Sequence, residues 1–294
     1  MFPLLFCLLL IVPISILIYR LSSIINKYYW VVIGSCIFIL LISFFLLPIL
    51  IFPVVIGVIS GLTFRNKRSF QFYILLSTFV LTFFITSNHY YFNYYHNADF
   101  LVTSKEQIHK FVDETKVITK EDREELTKNI DDFLSIFKDF IPFAYFVNSF
   151  LLSIFGFFIT KFVFIRYIIK DDERIKGIET FTLNDYLIFP LIACWMIVLF
   201  VDKNLDYLLY MVTFNIALIL SFLYLLQSIG IIKFFLKKKG IPVFLLGVAF
   251  MLIMILGLEF LLFFAILLTG FGILDLWIDF RKLKENAEDG GNQL

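Results

Sequence analysis

Six polar side chains interrupt otherwise apolar stretches of this chain: Asn148, Asn215, Gln227, Glu259, Asp275 and Asp279. In a dry environment an amide or carboxylate must find a partner, so such positions are where ligand binding, ion passage or helix–helix bonding concentrates. Asn148, Asn215 and Gln227 are the candidate ligand-binding groups. The competing reading is hydrogen bonding between helices, each bond worth about 0.6 kcal/mol. Glu259 depends on the path of the chain: a turn at 257–259 leaves it solvated, whereas a continuous helix buries it. The turn is the expectation.

A second constellation closes the last apolar stretch, in the segment Gly272-Ile-Leu-Asp275-Leu-Trp277-Ile-Asp279-Phe-Arg281-Lys282. Asp275 and Asp279 stand one helical turn apart and repel, so Lys282 and a cation from another helix would offset them. Trp277 suits a membrane–water interface. Asp275, Trp277, Asp279 and Arg281 are therefore expected to form either an anchoring belt or a structural latch to a neighbouring helix or partner.

Other chemistries find little footing. His89 and His96 flank a tyrosine-rich run, but seven helical residues separate them by about 10 Å, too far to share one metal ion. The tyrosines read as an aromatic belt, with a ligand cage as the alternative, and His109 is expected to be solvated. Cys7, Cys36 and Cys194 lie inside apolar stretches and read as small buried hydrophobes. There is no Walker sequence, no HExxH, and no GxSxG with plausible partners. The expectation is a non-enzymatic protein with no cofactor and no catalytic or metal site.

The elements that carry these residues follow from hydropathy. Hydrophobic residues make up 61% of the 294, charged ones 17%, with forty Phe and a mean hydropathy of +0.92; soluble domains average about 45–50% and about 25%. From Trp30 to Phe64 no side chain is charged, and from Ile241 to Leu274 only Glu259 is. A bilayer core needs roughly 20 apolar helical residues. A single helix over 30–64 would be about 52 Å long, so Pro48 and Pro53 are expected to break it. The stretch 241–278 splits near Gly257 by the same argument. Residues 1–19 lack a basic start and a small-residue cleavage site, and read as a retained span.

These considerations give an all-α, polytopic transmembrane helical bundle, a single integral membrane domain over 1–294. The nine expected spans are 2–19, 29–47, 49–64, 70–87, 142–165, 186–201, 207–232 and the two halves of 241–278. An eight-span version with 48–64 re-entrant is the alternative. Alternating the sides places 17 of the 25 basic residues on one face. By the positive-inside rule this predicts an external N-terminus and a cytoplasmic C-terminus. A net charge of +1 offers no pull on nucleic acid; the lipid bilayer is the expected partner.

The polar insertion at 99–141 carries a net charge of −4. Ser104-Lys-Glu-Gln107 and Thr119-Lys-Glu-Asp122 resemble capping boxes. Leu126, Ile130, Phe133, Leu134, Phe137 and Ile141 recur at helical spacing. An external amphipathic hairpin is expected, lying on the bundle or membrane, or serving as a lid or partner-docking element. Gly57-Val-Ile-Ser-Gly61 is a small-xxx-small pattern that permits close helix approach.

The run from Asn215 through Gln227-Ser-Ile-Gly to Lys239-Gly-Ile-Pro242, followed by the Gly272–Lys282 segment, resembles the YybS-like family of uncharacterised bacterial polytopic membrane proteins. The proline-containing spans near 48–61, Ile141-Pro142 and Phe181-Thr-Leu-Asn-Asp185 are similar as well. The resemblance implies that the membrane is a bacterial inner membrane. Ser228 departs from the glycine expected there, which loosens any argument from close packing. That family is in turn distantly similar to substrate-binding subunits of energy-coupling-factor transporters, which implies a ligand among the helices and a separate ATPase module as partner. Two functions compete. One is a small-molecule transporter or substrate-binding subunit, with a cavity near Pro48–Gly61 and the spans of Asn148 and Asn215. The other is a membrane scaffold using Lys233–Lys239 or the 99–141 helices to organise envelope proteins.

Overall fold

The computed structural model describes residues 10–20, 51–66, 68–96, 100–114, 120–167 and 177–281. The span expected at 29–47 lies outside them, as do Cys7, Cys36, Thr119 and Lys282. The described residues form helices α1 (Leu10–Arg20), α2 (Ile51–Arg65), α3 (Phe70–His96), α4 (Phe100–Glu114), α5 (Lys120–Tyr167), α6 (Ile188–Phe200), α7 (Tyr207–Lys238), α8 (Phe244–Leu256) and α9 (Leu258–Ile278). No strand occurs among them. The polytopic all-α architecture follows from solvent: hydrocarbon offers backbone groups no partners, so each segment bonds to itself as a helix. Segments of α3, α5, α7 and α9 are long and apolar enough to cross a membrane; α1, α2, α6 and α8 are shorter apolar helices.

The chain divides into two compact units. The first holds α1, α2, α4, α5 and α3 from Phe72 onward. Gly57 and Gly61 are where α1 meets α2: a Cβ on Gly57 would sit 2.6 Å from Ile14 Cγ2, and one on Gly61 2.7 Å from the Ser15 carbonyl oxygen. The small-xxx-small pattern thus marks a real close approach. Phe64 of α2 stacks on Phe164 of α5 at 4.7 Å between centroids. Gly156 of α5 makes room for Ile56, and the Tyr73 hydroxyl of α3 donates to the Ser153 carbonyl at 3.0 Å.

Three expectations for this unit need correction. The insertion and the following span are not separate helices: α5 runs unbroken for 48 residues through Pro142, about 72 Å. A proline inside a helix removes one backbone bond, and the apolar residues on both sides sustain the rest. Ser104 is no cap, because α4 already begins at Phe100. His109 is not isolated in solvent: its Nε2 lies 3.0 Å from Asp131 Oδ1, and Lys105 Nζ lies 2.9 Å from Asp131 Oδ2. That shared carboxylate holds α4 against α5. His89 is engaged through both ring nitrogens, by Tyr145 at 3.0 Å and Asn93 at 3.1 Å.

The second unit is organised around α7. Asp206 caps it, accepting from the Leu209 amide at 3.0 Å and so satisfying one of the helix's orphan N–H groups. Trp195 of α6 donates to Ser221 of α7 at 3.2 Å. On the other side α9 presses so close that a Cβ on Gly272 would collide with the Tyr224 carbonyl. Ser228, the departure from an expected glycine, does not open this contact: it is fully buried and its hydroxyl donates to the Leu268 carbonyl. Gly272 supplies the space from the opposite helix. The expected break near 257–259 falls at Gly257, whose φ of 105° is a conformation that favours glycine. Glu259 is exposed in the first turn of α9, where the helix dipole favours a carboxylate.

Candidate functional site

The densest polar cluster in the second unit forms where α9 ends. Asp279 adopts the left-handed conformation (φ 42°, ψ 62°), which reverses the chain. The Phe280 amide then bonds back to Asp275 Oδ1 at 3.0 Å, and Arg281 Nη2 reaches Asp275 Oδ2 at 2.8 Å. Gln227 of α7 completes the carboxylate's shell, its Nε2 donating to Oδ2 at 2.9 Å. Its Oε1 accepts from the Leu183 amide at 3.0 Å. Arg281 Nη1 donates to the carbonyls of Glu179 at 3.0 Å and Phe181 at 2.9 Å. Three stretches distant in sequence, 179–183, α7 and the end of α9, are thereby tied together.

Gly230 allows this: a Cβ there would lie 2.5 Å from the Ile178 carbonyl oxygen. The 179–183 segment carries its own clamps. Glu179 pairs with Lys233 at 2.9 Å and Lys237 at 3.3 Å, and Gln71 bonds the Thr182 backbone through both ends of its amide.

The Asp275 and Arg281 side chains are 3% and 0% exposed. Such a pair gains its Coulomb energy against a large desolvation cost, so its net contribution is small while removing one partner alone is costly. Asp275 accepts from three donors and Gln227 is engaged at both ends, while the buried Arg281 Nε makes no hydrogen bond among the described residues. Its geometry is that of a latch between 179–183, α7 and the end of α9.

Glu179 gives the latch a pH limit. Burial pushes its pKa up, but its own backbone amide and the ammonium groups of Lys233 and Lys237 outweigh that and hold it at about 2, below the usual 4.5. A carboxylate depressed in the folded state stabilises above its unfolded pKa and loses that contribution as pH falls through the folded one. Unfolding measured from pH 6 to pH 2 is therefore expected to show a loss of stability setting in near pH 4.5. Glu179→Gln should flatten that part of the profile.

Over residues 1–276 the chain matches the family model of predicted membrane proteins designated DUF2232. It belongs to that family. The match embraces Gln227 and Asp275 and ends before Arg281. No curated protein and no solved structure matches the chain, and none of the three comparisons supports the likeness to energy-coupling-factor subunits.

The remaining candidate residues of this DUF2232 protein fall in different places. Asn215 is buried in α7 and donates to its own helix at the Met211 carbonyl, 2.8 Å away; Asn148 belongs to the first unit and is exposed on α5. Trp277 is 70% exposed, outside the latch, and Asp279 serves it through backbone geometry. The cation that meets Asp275 is Arg281 from six residues on. Glu179 and the Leu183 amide escaped sequence reasoning, and Lys233 and Lys237, singled out only as part of the Lys233–Lys239 loop, were not linked to them. Their only signal was the proximity of Phe181–Asp185 and a Lys cluster to apolar spans.

Proposed function

We propose that this DUF2232 protein is a small-molecule transporter, or the substrate-binding membrane subunit of one, in a bacterial cytoplasmic membrane. The observation that carries the reading is in the first unit. Helix α2 carries Pro53, and eleven of its 15 described residues are buried. Proline-interrupted apolar segments inside a bundle are where transporters build binding sites. Facing it, Ser149, Ser153 and Thr160 share one face of α5 with Gly156, the face that meets Ile56 and Tyr73. Ser15 and Ser77 bond back to a carbonyl one turn earlier. The hydroxyls of Thr63, Ser149, Ser153 and Thr160, all buried, make no hydrogen bond among the described residues. An unsatisfied buried hydroxyl costs about 1–3 kcal/mol, which a polar ligand at this interface would offset.

The chemistry is binding and passage, not catalysis. The stacking of Phe64 on Phe164 supports an arrangement in which the basic groups after α2 and those near the end of α5 share one end. Lys233, Lys237 and Arg281 likewise gather at the latch. An external N-terminus and a cytoplasmic C-terminus accord with that distribution.

The scaffold reading rests on a different observation: Leu126, Phe133 and Ile136 on the outer part of α5 are exposed. Purification from native membranes separates the two. Co-purification of an ATPase subunit supports transport, and recovery of envelope-assembly proteins instead would overturn it.

A further inference from the structure

We infer that the outer part of α5, residues 125–141, lies along the lipid headgroup surface with its apolar face down, as an in-plane extension of the span that follows it. Leu126, Phe133 and Ile136 in this arm are exposed, as are Leu151, Phe155, Phe158 and Phe162 in the span. At 3.6 residues per turn all seven fall within an arc of about 100°. The arm's exposed face, in which Asn129 is the one exposed polar residue among those described, is therefore continuous with the span's lipid-facing stripe. Helix α4 leaves it open, since the contacts of Lys105 and His109 are to Asp131, on the side of α5 turned away from the stripe.

Length shows what this stripe must do. From Leu126 to Phe162 it runs about 54 Å, against about 40–45 Å for a whole bilayer with headgroups. An upright helix would hold its outer apolar residues in water. Tilting the straight helix until the stripe fits a 30 Å core would need about 56°, beyond the 0–40° that spanning helices adopt.

A bend resolves the mismatch, and the helix has one residue placed to make it. Pro142 lies about 180° around the helix from Phe133. Its ring clashes with the carbonyl four residues earlier and kinks a helix away from the proline's own side. The arm therefore leans toward the stripe side and lowers Leu126, Phe133 and Ile136 onto the interface. Lys128 and Ser135, both exposed, face water. With a net charge of −4 over 99–141, apolar insertion and not attraction to anionic lipid must drive the contact.

The test places a nitroxide at Leu126→Cys, Phe133→Cys, Lys128→Cys or Ser135→Cys in the full chain, with native cysteines changed to serine, in phosphatidylcholine liposomes. Collision with oxygen should exceed collision with a water-soluble nickel chelate several-fold at 126 and 133, and the order should reverse at 128 and 135. Preference for the chelate at all four sites, or for oxygen at all four, would overturn the inference. Strong spin–spin coupling at 133 would overturn it too, by assigning the stripe to a second copy of the chain. A Phe133→Trp variant with native cysteines gives an independent reading: brominated phosphatidylcholine should quench its added fluorescence, and unquenched emission counts against the arm lying on lipid.

Discussion

Asp275→Ala should cost about 3–5 kcal/mol, because it strands the Arg281 guanidinium in a buried site without its counter-charge. Arg281 keeps only the Glu179 and Phe181 carbonyls, which are dipoles and not charges. Gln227 loses the acceptor of its amide and the Phe280 amide its cap. Removing the charges together should be far milder, since replacing a buried ion pair by apolar groups of similar volume is often neutral. The combination Gln227→Leu, Asp275→Leu and Arg281→Met is therefore expected to recover most of the lost stability. Denaturant unfolding in detergent micelles measures both. A single variant within about 1 kcal/mol of the parent would place the carboxylate in contact with water and remove the latch from the account.

Gly272→Val is the second large effect, and Gly270→Val is its internal control. Both glycines lie in α9, two residues apart, and both substitutions carry the same β-branched helix propensity. At Gly272 a Cβ would collide with the Tyr224 carbonyl and stand 2.9 Å from Ser228 Oγ; at Gly270 it meets nothing within 4 Å. Forcing atoms into a packed contact costs about 1–3 kcal/mol or more, here increased because the obstacle is backbone. The Gly272 variant should separate α9 from α7, strain the Gln227–Asp275 bond and lower the unfolding temperature clearly. Gly270→Val should leave it nearly unchanged, and equal effects at the two sites would show that propensity, not helix contact, governs α9.

Much of the architecture is legible in the sequence because the solvent is lipid. Uninterrupted apolar stretches announce helices, Gly257 acts through local backbone geometry, and the four-residue spacing of Gly57 and Gly61 marks a close approach from within one segment. The fused arm and span of α5 are harder to read, because Pro142 and the change from polar to apolar composition mimic a boundary that the backbone does not make. His109 looked solitary for a related reason, its partner Asp131 lying on the next helix. In the latch, Asp275 and Arg281 are close in sequence and belong to one motif. Nothing in the sequence ties Gln227 or Glu179 to them, since those contacts join residues 44 to 102 positions apart. The hydroxyls of α5 left no trace either: Ser and Thr in apolar helices usually bond to their own backbone, and only packing shows which do not.

The most direct measurement concerns the interface of α2, α3 and α5. Protein taken from native membranes into nanodiscs, then denatured and extracted, should release a small polar molecule found in roughly stoichiometric amount by mass spectrometry. A Thr63→Val, Ser153→Ala, Thr160→Val variant that elutes and unfolds like the parent should release much less of it. No bound molecule in the parent, or equal amounts from both proteins, would contradict the proposal that these buried hydroxyls hold a transported ligand.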